Sequence, residues 1–380
     1  MDVKDRQRFY LNLYFFLSGV CFSTWTSRIP TIKAFFDYND AELGTVLLFM
    51  PISSLIGLPI SGWLVSRFDS RKPMTVGFLS LAIALACIGW APSTFFLICG
   101  VSMYAFSMRI MNIAVNTQSI TLQKKFERKI NGIFHGLWST GGIVGIGIST
   151  LFVGLDVPMG IHLSFISAIA ITAALYSYPH LLQNDKAITG NKLSMSKPDP
   201  YIVYLGLLVF FAAICEGGMF DWSGVYFKEV VHEDLFTLGY LIFMICMAIS
   251  RFASDRIIEQ FGMPRTYLIS ATLIMTGIAV AVIFPYFWPA MIGFCLVGLG
   301  TAAIVPMAYL LAGSSKKYSP GVTISIVSTY SIVGMLIGPP MIGYVAQALN
   351  LRMAFVIFGF GGLMLIPISQ LFFRYQKLKA

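Results

Sequence analysis

Long apolar runs recur along this 380-residue sequence, and they constrain the fold more than any other feature. A membrane-spanning helix needs about 20 apolar residues, and twelve runs reach or approach that length. We predict spans near residues 9–27, 42–66, 73–91, 95–122, 131–154 and 159–181, and then near 201–227, 236–255, 266–284, 288–313, 321–347 and 352–374. The sequence therefore predicts an all-α membrane protein with 12 transmembrane helices.

Charged residues are scarce, which excludes a water-soluble domain. They make up 11% of the chain, against 57% hydrophobic residues, whereas soluble proteins carry about a quarter charged residues. The net charge of +9 does not indicate nucleic acid, because the basic residues lie between apolar runs and form no patch with aromatic residues. We expect the chain to contact the lipid bilayer and no nucleic acid.

Lys and Arg are distributed unevenly between the two ends of the spans. With both termini in the cytoplasm, 20 of the 26 basic residues lie on that side, and Arg28, Lys33, Lys228 and Arg352 lie on the other. This asymmetry follows the positive-inside rule and predicts a multi-pass inner-membrane protein with cytoplasmic termini. The first run lacks a small-residue cleavage site, so we expect it to remain as a span. Arg28 is expected to anchor the chain at the outer interface, and closing the cavity is its alternative role.

The chain divides into two similar halves. A polar stretch predicts a cytoplasmic linker at 183–199, between six-helix bundles at 1–182 and 200–380. A group of five residues in the fifth span recurs in the eleventh with one offset: Ser139, Thr140, Ile143, Val144 and Gly145 return as Ser328, Thr329, Ile332, Val333 and Gly334. Because six spans separate the matching elements, the repeat is parallel, with its axis along the membrane normal.

Two acidic residues, Glu216 and Asp221, fall within a predicted span. A carboxylate in hydrocarbon is costly, so such residues usually face a cavity lined by protein. Glu216 lies roughly 20 Å beyond the cytoplasmic start of its helix, past the membrane midplane. We predict that Glu216 carries a proton, and Asp221 is the second candidate. A structural carboxyl paired with a neighbouring helix is the alternative for both.

Arg109 lies near the middle of the fourth span and needs a buried acidic partner, for which Glu216 is one candidate, or an anionic substrate. Asn112 and Asn116 follow at helical spacing, which puts all three side chains on one face. We predict that this face lines a cavity. The alternative for the asparagines is hydrogen bonding between helices without a ligand.

Four further side chains are candidates for the same cavity. His135 could relay protons, and Trp25, Trp138 and Trp222 could stack on a flat ligand such as a sugar ring. The alternatives are a histidine bonded to a carbonyl and tryptophans at the membrane interface. The six cysteines fall inside apolar runs and are interpreted as small packing residues. The absence of metal-ligand spacing, nucleotide-binding loops and nucleophile motifs predicts no metal, no cofactor and no enzymatic activity.

The chain resembles the major facilitator superfamily. Residues 62–71, Gly62-Trp-Leu-Val-Ser-Arg67-Phe-Asp-Ser-Arg71, resemble the family's gating loop G-x-x-x-D-R-x-G-x-R, with Ser66 and Asp69 in place of its acid and glycine. Residues 255–265 form a second copy that keeps Asp255, Glu259 and Gly262, with Gln260 for the arginine and one extra residue before Arg265. The resemblance implies that both loops act at the inner gate.

Five short strings are similar to the MosC-type branch, which includes YbjJ-like proteins. They are Ser27-Arg-Ile-Pro30, Ala114-Val-Asn116, His135-Gly-Leu-Trp-Ser-Thr-Gly-Gly142, Glu216-Gly-Gly-Met-Phe-Asp-Trp222-Ser and Gly338-Pro-Pro-Met-Ile-Gly343. The branch commonly has an acid where Asn112 and Gln123 stand here. The resemblance implies a small solute resembling a polyol or a sugar.

Together these features predict a secondary active transporter. We expect it to act as a monomer and to move a small polar organic solute by alternating access, with protons as the coupling ion. A membrane receptor of the same fold, which binds a ligand without moving it, is the alternative. Import and export remain equally open.

Overall fold

The computed structural model describes residues 2–127, 130–183, 199–314 and 320–379. Most of the predicted linker at 183–199 therefore lies outside the described residues. Every regular element in the described chain is a helix. The first part of the chain contains α1 (Val3–Ser27), α2 (Ile29–Phe35), α3 (Asp40–Arg67), α4 (Arg71–Gly89), α5 (Thr94–Gln123), α6 (Asn131–Gly154) and α7 (Met159–Ser177), followed by a 3₁₀ turn at Tyr178–His180. The second part contains α8 (Pro200–Glu229), α9 (Thr237–Ile283), α10 (Phe287–Thr301), α11 (Ile304–Gly313), α12 (Pro320–Ala348), α13 (Leu351–Ala354) and α14 (Val356–Lys379).

Within the described chain, eleven helical segments are long and apolar enough to cross a membrane. The 25-residue helix α1 is a further long helix, and it is less apolar because it carries Asn12 and several serines and threonines. The prediction of an all-α, multi-span membrane protein is confirmed. Two predicted spans, the eighth and ninth, are joined in the single element α9, and α10 and α11 together form the tenth.

The break within α9 falls at Gly262. Its backbone has φ 75° and ψ 157°, a conformation open almost only to glycine. Pro264 follows closely and lacks the N–H group that a continuous helix would use. The helix is therefore kinked here, inside the candidate span Arg256–Ile283 and beyond the end of the span Thr237–Ser254.

The chain separates into two compact units. The first comprises Met1–Phe36 and Phe49–Lys192, and the second comprises Asp37–Leu48 and Leu193–Ala380. The boundary near Lys192 lies inside the predicted linker. The start of α3, however, belongs to the second unit, where an added Cβ at Gly343 would lie 2.5 Å from the Asp40 carbonyl oxygen. Thr45 Oγ1 and Tyr344 Oη also lie 3.0 Å apart there.

The repeated residues of the fifth and eleventh spans pack in the same way within their own units. In the first unit, a Cβ at Gly145 of α6 would lie 2.7 Å from the Val20 carbonyl oxygen of α1. In the second, a Cβ at Gly334 of α12 would lie 2.5 Å from the Phe210 carbonyl oxygen of α8. Small residues are required where two helix backbones approach this closely. The shared glycine therefore has one structural role in both units.

Candidate functional site

An ion pair between a buried carboxylate and a partly exposed arginine links α8 and α9 within the second unit. Arg251 Nη2 donates a hydrogen bond of 2.8 Å to Glu216 Oε1. Glu216 is 7% exposed as a residue, and 31% of the Arg251 side chain is exposed. Measured from the turn that joins the two helices, both residues lie about 20 Å along their axes at 1.5 Å per residue. This equal depth in an antiparallel pair explains why the two charges meet.

Close packing holds the Glu216 segment of α8 in place. The Cys215 thiol donates to the Phe358 carbonyl oxygen at 3.3 Å. A Cβ at Gly218 would lie 2.3 Å from the Phe358 ring of α14, so a larger residue fits only if that ring moves. On the other side, a Cβ at Gly217 would touch Met335 of α12 at 3.4 Å. The carboxylate therefore projects from a segment that two neighbouring helices confine.

Asp221, the second predicted proton carrier, has a different setting. It lies on the same helix, nearer the end at Glu229, and it is half-buried. Its carboxylate takes part in no hydrogen bond or ion pair among the residues that the structure describes. The structure thus separates the two acids: Glu216 has a cation against it, and Asp221 does not.

Arg109 in the first unit has a neutral partner. Its Nε donates a 2.8 Å hydrogen bond to Ser54 Oγ of α3, and the residue is half-buried. The close contact between α3 and α5 depends on Gly57, where a Cβ would lie 3.3 Å from Arg109 Cβ. In the described chain no carboxylate contacts Arg109. Glu216, named from the sequence as a candidate partner, is bonded to Arg251 instead.

The two asparagines follow Arg109 along α5. Asn116 Nδ2 donates to the Asn112 carbonyl oxygen at 2.7 Å, one turn earlier in the same helix. Both residues are half-buried. The Asn116 amide thus keeps one N–H and its oxygen for another partner, and the Asn112 side chain has no partner within the described residues. Their role as cavity-lining residues stays a prediction.

The tryptophans have unequal environments. Trp222 is fully buried, and its Nε1 donates to the Pro339 carbonyl oxygen at 3.1 Å. Trp25 is 1% exposed, with its ring 6.1 Å from that of Tyr104. Trp138 is half-buried, 5.8 Å from the Phe22 ring. Packing and a hydrogen bond account for Trp222, whereas the buried Nε1 of Trp25 has no hydrogen-bond partner among the described residues. Stacking of any of the three on a ligand stays a prediction.

His135 lies on α6, but its side chain is outside the described part of the structure. Its predicted role as a proton relay therefore stays a prediction.

The two predicted gating loops differ in structure. In the first, the guanidinium groups of Arg67 and Arg71 lie over aromatic rings, 5.9 Å from the Trp63 centroid and 5.1 Å from the Tyr178 centroid. Neither arginine forms an ion pair with another described residue. Gly62, at the start of this loop motif, has no atom within 4 Å of an added Cβ.

The second loop contains the break at Gly262, which explains why a glycine stands there. Glu259 and Arg265 beside it are exposed. The side chain of Asp255 lies outside the described residues. Gating by either loop stays a prediction.

Arg28 does not anchor the chain at the outer interface, and this expectation is wrong. The residue is 4% exposed. Its Nε donates to His162 Nδ1 at 3.0 Å, and its Nη2 donates to the Val157 carbonyl oxygen at 2.9 Å. These bonds tie the end of α1 to α7 and to the turn before it. A lone basic residue at the end of an apolar run could not reveal such partners.

Sequence reasoning missed two partner residues, Arg251 and Ser54. Arg251 lies near the end of the predicted span 236–255, and its depth becomes clear only when α8 and α9 are aligned as an antiparallel pair. Ser54 lies in a run of small and apolar residues and carries no signal of its own. An intramembrane carboxylate does, however, predict that a cation lies at the same depth on a neighbouring helix.

In the part of the chain that the structure describes, every regular element is a helix, eleven segments could span a membrane and charged side chains are held inside the units. These features define a multi-pass membrane protein. The family model of the Major Facilitator Superfamily matches residues 2–145 and 242–379. The chain belongs to this superfamily, and it is a transporter rather than an enzyme.

Curated relatives agree with this assignment. The chain is 29% identical to an uncharacterized MFS-type transporter of Yersinia pestis, over 92% of this chain and 91% of that protein. It is also 29% identical to the membrane protein MosC of Rhizobium meliloti, over 96% of this chain and 89% of MosC. The resemblance to the superfamily and to its MosC-type branch is confirmed.

Solved structures show the same fold. The nucleoside transporter NupG superposes with a TM-score of 0.79 at 13% identity, covering 99% of this chain and all of that one. A bacterial homologue of the human lysosomal transporter Spinster, in an inward-facing and unoccupied conformation, gives 0.77 at 16% identity over 98% of each chain. Identities this low establish the fold and leave the solute open.

Proposed function

We propose that this transporter moves a small polar organic solute across the inner membrane by alternating access, and that protons drive the transport. The observation that carries this proposal is the ion pair between Glu216 and Arg251. It places a titratable group inside a membrane-spanning segment, where a change of charge alters the energy of each conformation.

Arg251 and a proton compete for the Glu216 carboxylate. Ionised Glu216 accepts the hydrogen bond from Arg251, and a proton on the carboxylate replaces that ionic contact with a weaker one. A conformation that keeps the two residues together is favoured when Glu216 is ionised, and one that separates them is favoured when it is protonated. Proton binding thereby shifts the conformational equilibrium, which is the requirement for coupling.

The Arg109 face of α5 is the proposed solute-binding element. Arg109 uses Nε for Ser54, which leaves its other N–H groups for hydrogen-bond acceptors on a solute. Asn112 and Asn116 on the same face offer both donors and acceptors. A solute rich in hydroxyl or carboxylate oxygens, such as a polyol or sugar derivative, has the matching chemistry.

Transport by purified protein in liposomes tests the coupling. Labelled polyols, sugars and nucleosides are screened first for exchange at equal pH, which needs no net proton movement. A solute that exchanges is then tested for uphill accumulation under a pH gradient. In Glu216→Gln, we expect exchange to persist and accumulation to be lost, because the amide cannot be ionised.

The matched control is Asp221→Asn on the same helix, for which we expect both exchange and accumulation to persist. Accumulation by Glu216→Gln at the level of the parent protein would refute the role of Glu216. Loss of accumulation in Asp221→Asn alone would assign the proton to the other acid.

A receptor of the same fold is the competing function. It would bind a ligand from the same panel, measured by ligand-induced thermal stabilisation, without exchanging it across the liposome membrane. Exchange of any solute that stabilises the protein excludes the receptor, and stabilisation without flux for every ligand supports it.

The proposed location is the inner membrane, with both termini in the cytoplasm and the chain acting as a monomer. The distribution of basic residues supports the orientation, since 20 of 26 then face the cytoplasm. Fusions of a reporter that is active only in the cytoplasm test it. Activity at both termini is expected, and activity at one terminus alone contradicts the even number of spans.

A further inference from the structure

Two cysteines from different helices lie against each other inside the second unit. The Cys246 thiol on α9 donates to Cys295 Sγ on α10 with the sulfur atoms 2.9 Å apart. This separation is only about 0.9 Å longer than a disulfide bond. Cys246 is buried, and Cys295 is half-exposed. Interpreted from the sequence as separate packing residues, they form a pair in the structure.

Backbone contacts on both sides of the pair fix its geometry. A Cβ at Gly298 would lie 2.5 Å from the Phe243 carbonyl oxygen, so α9 and α10 are in direct backbone contact. Ser250 Oγ donates to the Leu299 carbonyl oxygen at 2.8 Å. Ser250 and Leu299 are 49 positions apart, as are Cys246 and Cys295. The offset between paired positions on α9 and α10 is therefore constant over one helical turn. The packing of these two helices brings the sulfur atoms together.

We propose that Cys246 and Cys295 form a redox-active dithiol, which a lipid-soluble two-electron oxidant converts to a disulfide between α9 and α10. Both S–H bonds break and one S–S bond forms, and two electrons and two protons leave the pair. A quinone accepts them and becomes a quinol. Molecular iodine performs the same oxidation and yields two molecules of hydrogen iodide. The half-exposed Cys295 is the sulfur that the oxidant reaches first, and Cys246 completes the bond.

The other four cysteines lack this arrangement. Cys215 donates its thiol proton to the Phe358 carbonyl oxygen, and Cys21 is buried alone in α1. Cys87 and Cys99 are exposed. Among the described residues, the Cys246–Cys295 contact is the one in which a cysteine sulfur meets another. The disulfide would also fix α9 to α10 close to Arg251. Its formation does not depend on the proposed transport function.

Cleavage of the chain between the two cysteines tests the proposal. A protease site is inserted between Pro285 and Tyr286, in the turn from α9 to α10, where Phe284 and Tyr286 are more than half exposed. The fragment after this site contains Cys295 and no other cysteine. Membranes containing the full chain are treated with iodine, alkylated and then cut. We expect both fragments to run as one band without reductant and to separate with dithiothreitol.

Three variants identify the partner. Cys246→Ser and Cys295→Ser should each release the fragments without reductant. The matched control Cys295→Ser/Leu296→Cys keeps the number of thiols but turns the sulfur to another face of α10, and it should also release them. Fragments that separate after iodine in the parent protein overturn the proposal, as does linkage that persists in Cys246→Ser. If that variant does not accumulate, peptide mass mapping of the linked parent band decides between Cys246 and any other partner.

Discussion

Arg109 in the first unit and Arg251 in the second are both arginines inside membrane-spanning helices, yet their partners differ in charge. Arg251 bonds a carboxylate, Glu216, at 2.8 Å. Arg109 bonds a hydroxyl, Ser54, at the same distance. The second unit therefore neutralises its cation internally, whereas the first unit leaves a positive charge that its described residues do not balance.

Under the proposed function, this difference gives the two arginines different roles. A neutralised pair responds to a proton, because protonation removes one of its two charges. An arginine with only a hydroxyl partner keeps its charge at every physiological pH, since the guanidinium does not deprotonate. Under the proposed function, proton coupling would belong to the second unit and recognition of solute oxygens to the first. Four predictions test this division.

The largest effect is expected from Arg251→Gln, which leaves Glu216 buried without its cation. We expect a loss of about 2–3 kcal/mol in the free energy of unfolding, below the roughly 3–5 kcal/mol typical of a fully buried pair because Arg251 is partly exposed. Thermal unfolding in detergent measures the loss. In the double variant Glu216→Gln/Arg251→Gln no charge is left unpaired, so its loss should be smaller than the sum of the two single losses. Additive losses would show that the two residues do not interact.

A second prediction asks whether the units differ in packing as well as in charge. Gly145→Leu and Gly334→Leu each push a side chain against a helix backbone, because an added Cβ would lie 2.7 Å and 2.5 Å from a carbonyl oxygen of the neighbouring helix. Overpacking of this kind costs about 1–3 kcal/mol, and we expect similar losses in the two variants. Unequal losses in thermal unfolding would show that the repeat is one of sequence only. Gly136→Ala, where an added Cβ meets no atom within 4 Å, is the control.

The repeat and the spans could be predicted from the sequence because they depend on local patterns. Apolar runs of fixed length predict spans, and the shared offset of Gly145 and Gly334 predicts a matching role. The break in α9 agrees with the predicted pattern as well, because Gly262 falls between the predicted eighth span at 236–255 and the predicted ninth span at 266–284.

The candidate site was predicted less completely, because partners depend on helix arrangement. The sequence predicts Glu216 as a candidate because a carboxylate inside the membrane is costly, but it does not identify the partner. In the structure, the partner is Arg251. Arg28 shows the same limit. The sequence pattern of an arginine that anchors a helix at the interface is the same as that of a buried arginine bonded to His162. The free-energy cost of a charge inside the membrane points to a candidate residue in the sequence. The residues that it contacts are known only from the tertiary structure.

The third prediction concerns Arg109→Gln. Removing a cation that has one neutral hydrogen bond should change the free energy of unfolding by only about 1 kcal/mol, the typical worth of a hydrogen bond. Solute exchange in liposomes should be lost, because the charge for solute oxygens is absent. Ser54→Ala keeps the charge, and we expect it to weaken exchange without abolishing it. A loss of stability as large as that of Arg251→Gln would remove the contrast between the two arginines.

The smallest effect is expected from Asp221→Asn, and it sharpens the contrast within the second unit. Asp221 shares α8 with Glu216 but has no cation against it in the described chain. Its carboxylate contacts no described partner that an amide would lose, so the free energy of unfolding should change by less than the roughly 1 kcal/mol that is typical of a single substitution. Thermal unfolding of Asp221→Asn is compared with that of Glu216→Gln, because both variants remove one carboxylate from the same helix. A larger loss in Asp221→Asn than in Glu216→Gln would mean that position along α8, rather than the contact with Arg251, decides which carboxylate matters.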